Sequence, residues 1–330
     1  MSTPEREITF AEAVREALAE EMRRDPNVFI MGEDVAEAGT PFKVLSGLVE
    51  EFGKERVMDT PISEPGFTGL GVGAAITGMR PVIDIMFGDF LTLTMDQIVN
   101  QAAKIHYMSG GRMKAPIVFR TTMGATRRSA AQHSQSLQAW VSHVPGLKVV
   151  MPSTPYDAKG LLKTAIRDDN PVVFIEDKMM FKMKGPVPAG EYTLPFGVAD
   201  IKRKGEDITL VATSSMVQVA LGAAEKLSQI GISAEVIDPR TTSPLDKQAF
   251  IVSAKKTSRA IVIDEGYEAY GVTAEIASVI AHGAFYYLDA PVKRMGAMDV
   301  PIPFSPVLED ITVPIEETVF EMAKSLCGRN

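Results

Sequence analysis

The sequence predicts an α/β fold of two three-layer domains with mainly parallel sheets. Short runs rich in β-branched residues alternate with longer amphipathic segments, the pattern of a parallel sheet covered on both faces by helices. With 330 residues, 45% of them hydrophobic, the chain also exceeds what one core usually serves. The alternation lapses once, between residues 180 and 195, where Lys182-Met-Lys-Gly-Pro-Val-Pro-Ala-Gly190 has the composition of a linker. The boundary is therefore set between domains 1–188 and 189–330.

Each element follows from its local residues. Thr9 with Glu12 three positions on makes a capping box that opens a helix to Arg24. Asp25-Pro26-Asn27 ends that helix, and residues 28–31 read as a buried strand. Ser63 is placed to cap a helix over 63–78, with Glu64 and Pro65 suited to its first turn. Gly66, Gly69 and Gly73 share one face of it. Glycine costs a helix about 1 kcal/mol relative to alanine, so that stripe predicts close approach of a backbone or ligand. Strands follow at 80–86, 116–121, 148–151 and 171–176, with helices at 91–107, 134–142 and 155–167. The second series has strands at 208–212, 234–237 and 260–264, and helices at 216–229, 246–254 and 272–281.

Composition excludes several function classes. A net charge of −8 argues against nucleic acid or an anionic membrane as partner. The single cysteine, Cys327, excludes an internal disulfide framework and a Cys-rich zinc site, which suits a reducing cytosol. The N-terminal residues lack a basic-then-apolar signal pattern, and no apolar run reaches the roughly 18 residues that span a bilayer. A cytoplasmic, soluble protein is expected.

Candidate chemistry gathers where strands end. Glu64 stands at the mouth of the glycine-rich helix, although a first-turn glutamate serving only the helix dipole would look the same. Gly32-Glu33-Asp34 closes the first predicted strand, in the position where α/β sheets form ligand crevices. Met86-Phe-Gly-Asp-Phe90 closes another, and Phe90 suits either a ligand ring or core packing. His106, His143 and His282 lie in or beside helical patterns. His133, in Ala130-Ala-Gln-His-Ser-Gln135, precedes a helix and follows a buried strand, so it suits proton transfer or a histidine satisfied by backbone. Gly69-Leu-Gly-Val-Gly-Ala74 matches a dinucleotide-binding pattern, but those glycines lie inside a helix instead of bridging strand to helix. No Walker loop, His-Glu-x-x-His or G-x-S-x-G elbow is present.

Taken together, Gly32-Glu-Asp-Val35, Asp59-Thr-Pro-Ile-Ser-Glu64, Asp96-Gln-Ile-Val-Asn-Gln-Ala-Ala-Lys104, Tyr107-Met-Ser-Gly-Gly111, Gln132-His-Ser-Gln135 and Pro145-Gly-Leu-Lys-Val-Val150 carry a family resemblance. Asp157-Ala-Lys-Gly-Leu161, Ile166-Arg-Asp-Asp-Asn-Pro-Val172 and Asp264-Glu-Gly266 extend it over essentially the whole chain. The chain resembles the β subunit of the thiamine-diphosphate-dependent E1 component of 2-oxo acid dehydrogenase complexes, of pyruvate or acetoin type.

The resemblance implies a thiamine-diphosphate pyrimidine-binding domain followed by a transketolase C-terminal-type domain. It assigns Glu64 to the pyrimidine ring nitrogen, Phe90 to packing against that ring, and His133 to the intermediate and acyl transfer to lipoamide. Glu33 falls on an acidic path between paired sites. Oxygens of Ile117, Ala165, Ile166, Asp168 and Asn170 match a potassium site, a ligand type that suits a hard cation. The Gly-Asp-Gly motif that anchors the diphosphate through Mg2+ is missing; Gly88-Asp89-Phe90 fails at its third position. An α subunit is therefore expected to hold Mg2+ and share the cofactor in an α2β2 heterotetramer, with an E2 lipoyl acyltransferase as acyl acceptor. Cleavage of acetoin instead of a 2-oxo acid, and a non-catalytic scaffold subunit, are the alternatives. A self-sufficient transketolase-like enzyme conflicts with the missing motif. Arg127 and Arg128 stand where relatives more often carry small residues, and suit either a substrate carboxylate or pairing with the α subunit.

Overall fold

The computed structural model describes residues 5–328. The chain divides into two compact units: the first runs to Met123 and resumes over Trp140–Phe196, and the second takes Gly124–Ala139 and everything from Gly197 onward.

In the first unit a parallel sheet carries the strands in the order Lys148–Val150, Val172–Asp177, Val118–Met123, Arg80–Ile85, Val28–Gly32, Val57–Asp59. Its central strands are buried on both faces, as near-continuous apolar runs require. The helix Phe10–Arg24 opens with the expected capping box: Thr9 Oγ1 accepts from the Glu12 N–H at 3.2 Å, and the Glu12 carboxylate accepts from the Thr9 N–H at 2.7 Å. It packs against Pro155–Arg167, where the buried Lys159 and Lys163 pair with Glu16 and Glu20.

In the second unit the strand order is Lys293–Ala297, Ala260–Tyr267, Ile208–Ala212, Ala234–Asp238, Asp200–Arg203, parallel except for the last. Met216–Gln229 and Glu316–Leu326 pack together, as do Lys247–Thr257 and Val272–Ala284. Apolar clusters form on Leu210 and Val236 on one side, and on Val211 and Ile237 on the other.

Several local expectations change. Lys184–Pro188, inside the stretch read as linker, is a strand paired antiparallel with Glu5–Thr9. A two-stranded edge tolerates its prolines because no central ladder needs their missing N–H groups. The helix expected over 91–107 is interrupted by a π-helical segment, Asp96–Ala102, and the one expected over 134–142 shortens to Gln138–Ser142. Ser63 makes no side-chain cap. Gly66 and Gly73 are exposed, and a Cβ on Gly73 would meet nothing within 4 Å; the glycine that permits close packing is Gly71, whose Cβ would lie 2.5 Å from Ile83 Cδ1. Among the described residues no helix is long and apolar enough to cross a membrane.

Candidate active site

Two neighbouring parallel strands of the first unit position Glu33 and Glu64. Val28–Gly32 delivers Glu33 at its C-terminal end, and Val57–Asp59, in register with Gly32 opposite Asp59, leads to Glu64 at the first turn of Glu64–Ile76. Strand C-termini are where open α/β sheets hold ligands. A Cβ at Gly32 would lie 2.5 Å from the Asp84 carbonyl oxygen, so glycine lets these strands close at this point. The loop after Glu33 is pinned by Asp59, whose carboxylate accepts from the N–H groups of Ala36 (2.7 Å) and Glu37 (3.2 Å).

Electrostatics brings the two glutamates together. Glu64 is 6% exposed and Glu33 8%. The Glu33 carboxyl is pushed above the usual carboxylate range, first by burial and then by the negative charges of Glu64, Asp34 and Asp84. Its Oε1 is buried without a hydrogen-bond partner among the described residues. A proton held here, or a donor supplied by a ligand, satisfies that atom.

Next along the sheet lies a charged cluster that sequence reasoning missed. Arg120 is 2% exposed and grips Glu176 through two hydrogen bonds of 2.7 and 2.6 Å while also pairing with Asp84. Burial opposes the Arg120 charge, but Glu176 and Asp84 outweigh it and raise the guanidinium pKa. Two carboxyls face one guanidinium, and burial keeps both above their ordinary range despite Arg120. The available signal was a charged residue, Asp84, Arg120 or Glu176, among the apolar residues of each of three buried strands.

Phe90 ends the turn Gly88–Phe90, where a Cβ on Gly88 would overlap the Met123 side chain. Half-buried, it meets Phe87 edge to face at 5.8 Å, and Phe87 meets Phe42 in the same way at 5.9 Å. The ring therefore belongs to an aromatic row that retains partly exposed surface.

His133 belongs to the second unit, on the segment Gly124–Ala139. Three groups of carboxylates tie this segment down. The Ala125 N–H donates to Glu265 (3.3 Å), Arg128 pairs with Glu309 (2.7 Å) and Asp310 (2.6 Å), and Gln138 Nε2 donates to Asp264 (2.7 Å). Asp264 is itself held above the ordinary range by burial, which its hydrogen bonds from Thr213 and Gln138 oppose. The structure thus gives Arg128 acidic partners within its own chain. The bland reading holds for His106, whose Nδ1 meets the Met113 carbonyl at 2.8 Å.

The expected cation oxygens are already engaged. Ile117 O accepts from Val172 N–H (2.9 Å), Ala165 O from Asp168 N–H (3.3 Å), and Ile166 O and Asp168 O both accept from Arg80 Nη1 (3.0 and 3.1 Å). The Asn170 side chain donates to Asp168 Oδ1 at 2.9 Å, and Lys148 pairs with the same carboxylate. Each carbonyl keeps a second lone pair for a cation, which would share the position with the Arg80 charge.

Comparison with known proteins places the chain in a family. Residues 6–184 match the transketolase pyrimidine binding domain and residues 197–319 the transketolase C-terminal domain. A pyruvate dehydrogenase E1 component subunit beta from Rickettsia felis is 50% identical, covering 97% of this chain and 98% of that one. The acetoin:2,6-dichlorophenolindophenol oxidoreductase subunit beta of Bacillus subtilis is 49% identical over 98% of both chains. A mitochondrial pyruvate dehydrogenase E1 subunit beta-1 from Oryza sativa is 47% identical, covering 99% of this chain and 89% of its own. A split-gene transketolase described as an inactive beta4 tetramer superposes with TM-score 0.79 at 21% identity over 97% of this chain and 98% of that one, a likeness of fold.

Fold and domain content define a two-domain protein of the transketolase type, as the strand and helix alternation predicts. Within that class, the chain belongs to the family of E1-component β subunits of 2-oxo acid dehydrogenases, to which the pyruvate and acetoin relatives also belong.

Proposed function

We propose that this chain is the β subunit of a pyruvate-type E1 component, acting with an α subunit in oxidative decarboxylation of a 2-oxo acid and transfer of the acyl group to the lipoyl arm of E2. The observation that carries this reading is the buried pair of Glu33, just past a strand end, and Glu64, at the first turn of a helix, with one Glu33 oxygen lacking a partner among the described residues. That arrangement fits thiamine diphosphate, because the pyrimidine ring presents a basic nitrogen that a buried carboxyl group can bond. When bound, the cofactor supplies the nucleophilic carbon and the electron sink for loss of carbon dioxide.

The chain's own residues do the rest. Glu64 would hydrogen-bond the ring nitrogen, and Glu33, whose carboxyl is raised by burial and by the Glu64 charge, would stand beside it as a proton holder. Phe90 packs on the ring and excludes water. His133 holds or moves a proton at the substrate oxygen and assists acyl transfer. The first domain, 1–188, carries Glu33, Glu64 and Phe90, and the second, 189–330, completes the transketolase-type pair.

The partner reading has four parts. An α subunit holds Mg2+ and the diphosphate in an α2β2 heterotetramer, E2 supplies the lipoyl group, the assembly is cytoplasmic, and K+ sits at the oxygens of Ile117, Ala165, Ile166, Asp168 and Asn170. Acetoin cleavage is the second reading, favoured by the 49% identity to the Bacillus subtilis subunit. The test is Glu64→Gln co-expressed with the α subunit and assayed with pyruvate, branched-chain 2-oxo acids and acetoin. Turnover should nearly vanish while assembly persists; near-normal rates would sink the assignment, and the substrate consumed by the wild type separates the two readings.

A further inference from the structure

The segment that carries His133 is held in an unusual way. Thr126 (φ 65°), Arg128 (φ 60°) and Ala130 (φ 57°) all adopt left-handed backbone without being glycine. Such residues persist where their surroundings over-determine them. Here the surroundings are acidic: Glu309 Oε2 accepts both the Arg128 N–H (3.2 Å) and its guanidinium (2.7 Å). The same guanidinium reaches Asp310 (2.6 Å) and the Pro306 carbonyl (3.3 Å). Glu309 is fully buried. Without Arg128 its carboxylate would be left without that charge partner, and the backbone N–H would lose its reason to stay.

We propose that the Arg128–Glu309–Asp310 clasp is a positioning device that sets the His133 loop for proton transfer, and that Arg128 is not a ligand for the substrate carboxylate. The inference rests on the role proposed above for His133. Arg128 lies five residues from His133 on the same segment, and its partners belong to the helix Pro306–Asp310. Both backbone and side chain of Arg128 converge on one buried oxygen, so the grip fixes the loop's path as well as its tip. Lysine retains the charge on a shorter arm, whereas Arg128 makes all three side-chain contacts from Nη1 at the far end of its guanidinium.

A mutant cycle tests this in the assembled enzyme, co-expressed with its α subunit and assayed for reductive acylation of a lipoylated E2 domain. Arg128→Ala should lower kcat by about tenfold with KM for the 2-oxo acid nearly unchanged, and Arg128→Lys should recover part of the loss. In a His133→Ala background, Arg128→Ala should change kcat by less than about twofold, because two residues acting through one group are not additive. Glu309→Gln, which keeps shape and removes charge, provides the same reading if Arg128→Ala fails to assemble. A wild-type rate in Arg128→Ala, or the same tenfold factor in the His133→Ala background, overturns the clasp. A raised KM with kcat intact would instead make Arg128 a substrate ligand and also overturn it. A wild-type rate in His133→Ala removes the role of His133 itself, an outcome seen separately, and the clasp falls with it.

Discussion

The first unit buries two sets of carboxyl groups along one sheet, and they are treated oppositely. Asp84 and Glu176 share a guanidinium, which offsets one of their two charges inside the protein. Glu33 instead lies among the charges of Glu64, Asp34 and Asp84 and leaves its Oε1 without a partner among the described residues. Burial alone therefore does not mark the site. An unpartnered oxygen set among like charges does, because a ligand or a proton is then needed to complete it.

The contrast predicts different failures for the two sets. Glu64→Gln should lower kcat by about 10²–10⁴ with little change in thermal midpoint, since general acid–base and hydrogen-bonding roles contribute on that scale. Steady-state assays beside calorimetry check it, and a stability loss matching the rate loss would merge the two sets. Arg120→Met should do the reverse: by stranding Asp84 and Glu176 it should cost about 3–5 kcal/mol, read from denaturant midpoints. A midpoint within error of wild type would show the pair protonates without penalty.

Glu33→Gln sharpens the comparison through pH. Because folding raises the Glu33 pKa, the native state binds the extra proton, and stability falls as pH rises from the unfolded value of about 4.3 through the folded one. The glutamine variant lacks that term, so its midpoint should drop less between pH 5 and pH 8 than the wild type's. Asp84 and Glu176 are common to both proteins and cancel. Equal drops would mean that Glu33 ionises normally.

The smallest expected effect is at the cation oxygens. Replacing K+ by choline should lower the melting temperature by about 2–4 °C, the shift that 1 kcal/mol produces in a domain of this size. No shift would mean that the Arg80 guanidinium alone neutralises the carbonyls of Ile166 and Asp168.

Much of this was legible in the residues. The Thr9–Glu12 capping box, the buried strands, the placement of Glu33 at a strand end and that of Glu64 in the first turn of a helix all rest on local chemistry or on periodicity, and the structure bears them out. What escaped was long-range or marginal. Arg120 finds its acids 36 and 56 positions away, and Arg128 finds Glu309 at a separation of 181, so no window of sequence contains either cluster. Val57–Asp59 is too short to show a period, and Asp200–Arg203 is a partly exposed edge strand with weak alternation. The glycine stripe misled because three glycines on one face equally fit an exposed surface, whereas the crowded Gly71 lay one face away.

The central claim is that the Glu33 carboxyl, raised by burial and by the Glu64 charge, keeps an oxygen without a partner among the described residues for a ligand or a proton to complete. Infrared difference spectroscopy of wild type against Glu33→Gln, titrated from pH 4 to pH 8, tests it most directly. The account predicts a protonated-carboxyl band in the wild type that disappears at a higher pH than that of an ordinary glutamate and is missing from the variant. A band lost at the ordinary glutamate pH would contradict it.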